Sequence, residues 1–253
     1  MARLSVKEWY AEQFRDLDRR PRRGSGPARK IAILSTPRSG STLFCDSLAS
    51  TGLFGQPEEW LNPRRTEAYR RLRGVESVHL ADYLGFVSSR TTSDNGVFSI
   101  KIQIDQYKTW KEKANFDAFD LQFDVILYVY RRDKVAQAHS YAKAMMTDQW
   151  RSYFASKPGF AAEPVAKSAI ANALLSIVGW EEFYETNLAR RVNRSYCYED
   201  IAGDDDFLRR ALEDCGIAHA GPLEAKPTTA VQRGTADLLE IEAFKRYISG
   251  SAG

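Results

Sequence analysis

The sequence predicts an α/β fold, a three-layer sandwich with a central, mainly parallel sheet and helices on both faces. Three observations carry that prediction. Phe123-Asp-Val-Ile-Leu-Tyr-Val-Tyr130 is a near-continuous apolar run of β-branched and aromatic residues, which suits a strand covered on both faces. Strand-like runs alternate along the chain with stretches of helical periodicity, and that order favours parallel strands joined by helical crossovers. A chain of 253 residues can bury roughly 70–75% of its unfolded surface without disulfides or metals, and neither repeats nor low-complexity segments divide it.

The elements follow in order. Leu4, Trp9, Tyr10, Phe14 and Leu17 form an apolar stripe at helical spacing. Pro21, Gly24, Gly26 and Pro27 mark a linker. Residues 1–27 therefore read as a basic N-terminal helix and linker, and residues 28–253 as the main domain. The first core strand spans 30–35, and a helix over 41–51, stopped by Gly52, lies behind it. Residues 55–60 form a loop, and the Arg-rich stretch 62–74 is helical. Residues 97–104 alternate and run through Lys101, which reads as a strand. After the buried strand 123–130, Asp133 can cap a helix that continues to Met146. A long helix spans 164–188, with Ile170, Leu174, Ile177, Val178, Phe183 and Tyr184 as its apolar face. A further strand (192–198), a helix closed by Gly216 (204–215), a loop (222–230) and a last helix (236–248) complete the chain.

Charge and cysteines exclude several classes. The net charge of +3 is mild and gives no case for nucleic acid. The first 30 residues carry nine basic against four acidic side chains. That cluster reads as a solvated arm, with peripheral contact to an anionic membrane surface or an acidic saccharide as the alternative. Cys45, Cys197 and Cys215 are far apart and form no Cys-x-x-Cys pair, so neither a metal site nor a disulfide framework is expected. Reduced cysteines, a charged N-terminus without an apolar leader segment and no apolar stretch of membrane-spanning length place the chain in the cytoplasm.

The chemistry begins at Ile31-Ala-Ile-Leu-Ser-Thr-Pro-Arg-Ser-Gly-Ser-Thr42. An apolar strand feeds a short polar loop that opens a helix. First-turn N–H groups have no partners within the helix, and the helix dipole adds positive potential, so such a turn binds an anion. Arg38 can fork onto two anion oxygens, Gly40 lets the backbone approach closely, and Ser39, Ser41 and Thr42 add donors. The nucleoside-triphosphatase pattern Gly-x-x-x-x-Gly-Lys-Ser/Thr is absent: no Lys precedes the hydroxyl pair. The sandwich is thus P-loop-type, but the loop suits an anion other than a magnesium-bound triphosphate. A second anion element is Tyr130-Arg-Arg-Asp-Lys-Val-Ala-Gln-Ala-His-Ser140, at the C-terminal end of a buried strand, where open α/β sheets bind ligands. Arg132 and Ser140 can meet one anion there, and Arg131 can replace Arg132.

Together these elements resemble a sulfotransferase that uses 3′-phosphoadenosine 5′-phosphosulfate (PAPS). Pro-Arg-Ser-Gly-Ser-Thr resembles the 5′-phosphosulfate loop, with Arg38 where many members carry Lys. Arg132 and Ser140, eight apart, match the pair that holds the 3′-phosphate. More narrowly, Arg-Ser-Gly-Ser-Thr-Leu, then Thr-Gly-Leu-Phe-Gly-Gln-Pro-Glu-Glu-Trp, then Arg-Arg-Asp-Lys-x-x-Gln-Ala-x-Ser are similar to the bacterial trehalose 2-sulfotransferase family of carbohydrate sulfotransferases, over roughly residues 30–200. The resemblance implies PAPS as co-substrate, no metal, a carbohydrate or glycolipid acceptor and, because family members dimerise, a homodimer. It places the general base at Glu59, with Glu58 the adjacent alternative and His139 a weaker one. It sets Arg38 beside the transferring group; Lys101, from its place on the predicted strand, is a further candidate to donate to that group or orient the acceptor, with a strand-end surface Lys as the other reading. Glu58, Trp60 and Trp150 are expected at the acceptor, and Arg233, in Gln-Arg-Gly, at the 3′-phosphate. Tyr198-Glu-Asp200 reads as structural. A P-loop kinase and a non-catalytic anionic-glycan-binding module are the competing readings.

Overall fold

A computed structural model describes residues 5–24, 26–114, 117–151, 163–204, 206–223, 226–227 and 234–250. The strands are β1 (Arg29–Ser35), β2 (Val97–Gln103), β3 (Val125–Tyr130) and β4 (Arg194–Cys197). They form one sheet in the order β2-β1-β3-β4, with every pairing parallel. The helices are α1 (Val6–Arg19), α2 (Ser41–Ser50), α3 (Pro63–Arg73), α4 (Leu80–Thr91), α5 (Ile104–Ala114), α6 (Lys134–Thr147), α7 (Lys167–Asn187), α8 (Tyr198–Ile201), α9 (Phe207–Asp214) and α10 (Thr235–Ile248).

Side-chain alternation along the strands sorts the core into two halves. Ala32 and Leu34 of β1, Ile100 and Ile102 of β2 and Tyr128 of β3 meet α1, α4, α5 and α7 on one face. Ile31 and Ile33 of β1 with Leu127 and Val129 of β3 meet α2 and α9 on the other. This is the expected three-layer sandwich, and both sheet faces are covered. Among the described residues, no helix is long and apolar enough to cross a membrane.

The N-terminal helix is not a free arm. Its apolar stripe brings Phe14 and Leu17, both fully buried, into one core with Trp60 and Tyr83. Ser5 caps it: Oγ accepts from Glu8 N–H while the Glu8 carboxylate accepts from Ser5 N–H at 2.9 Å. The Asp133 cap of α6 forms as expected, accepting from Ala136 N–H at 2.9 Å. On α7 the buried residues are Ile170, Ala173, Ile177 and Tyr184, whereas Val178 is half exposed. One step past Ile177 turns a side chain about 100° off the buried stripe. The helices α4 and α5 occupy stretches to which the sequence reading assigned no element. All three cysteines are buried and free.

Candidate active site

The turn after β1 is built to present donors. Arg38 sits in the left-handed region at φ 62°, a conformation a non-glycine residue holds only under constraint. The constraint is visible: Nε donates to Ser140 Oγ at 2.9 Å and Nη1 to the Trp150 carbonyl at 2.7 Å. Burial, reinforced by the positive charge of Arg131, pushes the guanidinium pKa down to about 10, so it stays charged at neutral pH. Gly40 follows at φ 91°, and a Cβ there would lie 2.2 Å from Cδ2 of Tyr198. The backbone before α2 can pass under that ring only as glycine. Gly40 is also the N-cap of α2 and supplies no side-chain acceptor to its first-turn N–H groups, so their positive potential is available to a ligand. Gln137 of α6 locks the loop to the neighbouring element, donating to Thr36 Oγ1 and to the Pro37 carbonyl at 2.9 and 2.8 Å.

The opposite wall comes from residues 56–62. Lys101 N–H donates to the Glu58 carbonyl at 3.0 Å, a single parallel bridge on the edge of β2. Neighbouring side chains of extended backbone point to opposite sides, and here parity decides the chemistry. Glu58 turns away from the loop and is partly buried between Arg65, 2.7 Å away, and Arg151. Glu59 turns towards it. Its Oε1 takes Lys101 Nζ at 2.9 Å and Gln103 Nε2 at 3.3 Å; its Oε2 takes Asn62 Nδ2 at 3.1 Å and Gln106 Nε2 at 3.2 Å. Burial alone would raise this carboxyl, but the Lys101 charge and its hydrogen bond outweigh it and hold Glu59 well below the usual carboxylate range. Lys101 also donates to Thr42 Oγ1 at 3.0 Å, so one buried ammonium joins the anion loop to Glu59.

Between the walls lies a cavity of about 560 Å³, within the range of small-molecule sites. Arg38, Gly40, Ser41, Thr42, Arg131 and Ser140 line one side, and Glu59, Asn62, Asp105, Gln106 and Trp150 line the other. Arg131 is 7% exposed, stacks 5.0 Å from the Tyr198 ring and has a buried Nε without a hydrogen-bond partner. Ser39 Oγ is likewise buried and unpartnered. A buried donor without an acceptor is unfavourable; Arg131, whose Nε has only the Glu199 carboxylate at 3.7 Å, lines the cavity and can meet an anion there, whereas Ser39 does not line it.

A family model described as Stf0 sulphotransferase matches residues 31–158, which span both the loop and the Arg131–Ser140 element. The chain belongs to the Stf0 sulphotransferase family. Among curated relatives, a trehalose 2-sulfotransferase of Mycobacterium tuberculosis is 27% identical over 164 residues, covering 51% of this chain and 61% of that protein. The trehalose 2-sulfotransferase of Mycolicibacterium smegmatis is 23% identical over 154 residues, 47% and 58% of the two lengths. The chain thus spans about three-fifths of the length of these relatives. Among solved structures, the sulfotransferase domain from the curacin biosynthetic pathway aligns over 84% of this chain and 83% of its own, at 15% identity and a TM-score of 0.42.

Set against the residues expected of a sulphotransferase site, the fold brings Arg38, Gly40, Ser41, Thr42, Glu59, Ser140 and Trp150 to one cavity, with Lys101 directly behind it. Four expectations need correction. Trp60 is fully buried in the core, its Nε1 donating to the Gln56 carbonyl at 3.0 Å, and offers an acceptor no surface. Glu58 turns to the other side of the bridge, ion-paired with both Arg65 and Arg151, and does not line the cavity. Arg132 also lies outside it: exposed, it forks onto Asp200 at 2.8 and 2.5 Å, and the alternate residue Arg131 takes the inward position. Tyr198, read as structural, lines the cavity, whereas Glu199 and Asp200 hold the strand exit, Glu199 accepting from the Arg132 and Asp133 N–H groups at 3.0 and 3.2 Å. His139 reaches the cavity edge with Nε2 2.8 Å from Glu240 of α10. Arg233 and residues 152–162 lie outside the described residues.

The sequence reading missed Asp105 and Gln106 as cavity residues and gave Arg131 only as the alternate to Arg132. For Arg131 the signal existed in the Arg-Arg pair; for Asp105 a lone acidic residue at a helix start reads as a cap.

Proposed function

We propose that this sulphotransferase moves the sulfuryl group of PAPS to a hydroxyl of a carbohydrate or glycolipid acceptor, with Glu59 as general base. The observation that carries the reading is one cavity with an arginine-and-amide cradle on one wall and a partly buried, ion-paired glutamate on the other, bridged by Lys101. Arg38 and the first-turn N–H groups of α2 bind the 5′-phosphosulfate and stabilise charge gathering on the bridging oxygen. Donors preorganised in this way are each typically worth on the order of 100-fold or more in rate. Arg131 and Ser140 are the nearest groups for the 3′-phosphate. The acceptor oxygen forms its bond to sulfur as the bond from sulfur to the bridging phosphate oxygen breaks, its proton passes to Glu59, and adenosine 3′,5′-bisphosphate leaves.

Lys101 explains how so acidic a carboxylate serves as base. In the resting site it is shared between Glu59 and Thr42. As negative charge arrives beside Thr42, the ammonium turns to it and Glu59 becomes a better proton acceptor at the moment it must act. The relatives are named for trehalose, and a neutral disaccharide is the first acceptor to try. The deciding experiment follows ³⁵S transfer from labelled PAPS onto a saccharide panel that includes trehalose, beside calorimetry with adenosine 3′,5′-bisphosphate and with ATP. Transfer to a saccharide and tighter binding of the bisphosphate are expected. Tight magnesium-ATP binding without preference for the 3′-phosphate would instead make the chain a P-loop kinase, and saccharide binding without transfer a glycan-binding module.

A further inference from the structure

The acceptor wall holds a second carboxylate. Asp105 opens α5 immediately after β2 and lines the same cavity as Glu59. The two carboxyls are held in opposite ways. Glu59 has four side-chain donors, one of them an ammonium. Among the described residues no cation lies within ion-pair distance of Asp105, and its Oδ1 is buried without a hydrogen-bond partner. The neighbouring Gln106 commits its amide nitrogen to Glu59, leaving its own Oε1 buried and unpartnered as well. Asp105 Oδ1 and Gln106 Oε1 thus stand on the first turn of α5 without a side-chain donor, and the Asp105 carboxyl is lowered only by the N–H groups of Asp105 and Gln106.

We propose that Asp105 is the acceptor-positioning residue of this site, taking a hydrogen bond from a hydroxyl next to the one that Glu59 deprotonates and restricting the acceptor to uncharged polyhydroxyl sugars. The inference rests on the sulfuryl-transfer reading above. A sugar supplies hydroxyl donors on adjacent carbons, which suits two carboxylates on one wall. An acceptor whose anionic group faced α5 would set its charge against both Glu59 and Asp105.

The environment gives the contact a pH dependence. Burial is the main force raising the Asp105 carboxyl, the Glu59 charge adds to it, and the N–H groups of Gln106 and Asp105 only partly offset them, which leaves it at about 6. Across the cavity Tyr141 of α6 is itself pushed up by burial and by Asp105. Above about pH 6 Asp105 is an anion and a strong acceptor; below it the carboxyl is protonated and the contact weakens.

The test is steady-state transfer from PAPS to a panel of neutral, uronic and sulfated disaccharides between pH 5 and 8, with wild type, Asp105→Asn and Asp105→Ala. Neutral sugars should be used. Their KM should rise as pH falls through about 6 in wild type, and should rise about tenfold or more in both variants, since a hydrogen bond to a charged group is lost. In the variants that acid limb of KM should vanish, while kcat stays within about threefold and the affinity for adenosine 3′,5′-bisphosphate is unchanged. The wild-type profile alone carries the test should a variant fail to fold. Preference for anionic sugars, or KM independent of both pH and substitution, would overturn the inference while leaving sulfuryl transfer standing. A wild-type protein that transfers to no saccharide would overturn both.

Discussion

Replacing Lys101 by Met removes one charge from a buried pair and keeps the length of the side chain. Lys101 is 1% exposed, and Glu59 loses with it the largest influence holding its carboxyl down. Breaking a buried ion pair by removing one partner destabilises by about 3–5 kcal/mol. Gln103, Asn62 and Gln106 still donate to Glu59, which argues for the lower end, about 3 kcal/mol. At roughly 2–4 °C per kcal/mol for a chain of this size, Tm should fall by about 6–12 °C at pH 8. In wild type the Glu59 pKa is depressed, so the stabilisation is present above the unfolded carboxylate value and is lost as pH falls through the folded one. Without Lys101 the folded pKa moves back up towards the unfolded value, so the deficit is full at pH 8 and shrinks as pH falls into the carboxylate range. Thermal unfolding of wild type, Lys101→Met, Glu59→Gln and the double variant at pH 8 and pH 5 measures this. The double variant should recover most of the loss at pH 8. A Lys101→Met deficit below about 1 kcal/mol, or one equally large in the Glu59→Gln background, refutes the coupling.

Two further predictions concern the anion wall. Gly40→Ala places a Cβ 2.2 Å from the Tyr198 ring at φ 91°; the backbone strain alone is worth about 1–2 kcal/mol. A lowered Tm by calorimetry and weaker bisphosphate binding are expected, and a neutral substitution would mean that the turn is not held under Tyr198. Arg131→Ala should weaken adenosine 3′,5′-bisphosphate by about tenfold or more, whereas Arg132→Ala, which removes an exposed pair with Asp200, should change it less than threefold. The reverse order by isothermal titration would return the 3′-phosphate to Arg132.

The sheet was legible because β1, β2 and β3 read as buried or alternating apolar runs, and the burial of Ile33, Ile100 and Leu127 depends on little beyond that pattern. The anion loop was legible for the same local reason: strand, polar turn and helix are contiguous in the chain. The helices α4 and α5 were not. Tyr83, Phe86, Val87 and Thr91 have modest helix propensity and surround Gly85, and α5 begins on Ile104, directly after the strand, without a break in the apolar pattern. Within the site, the sequence located segments better than side chains. Glu58 against Glu59 and Arg131 against Arg132 are each a choice of one residue in extended backbone, and the face is set by tertiary contacts: the bridge of Glu58 to β2 and the grip of Glu199 on the strand exit. Trp60 faces the core because Phe14 of α1 and the Tyr83 hydroxyl of α4 meet it there, contacts no nearby residue announces.

On the proposed mechanism Glu59 takes the acceptor proton in a site that binds nucleotide independently of it. Glu59→Gln is nearly isosteric and keeps one oxygen acceptor. The direct measurement is single-turnover ³⁵S transfer from PAPS to a saccharide used by wild type, with bisphosphate affinity determined on the same preparation. Unchanged nucleotide affinity and transfer slowed by about 100-fold or more are expected; transfer at the wild-type rate would rule out Glu59 as the base.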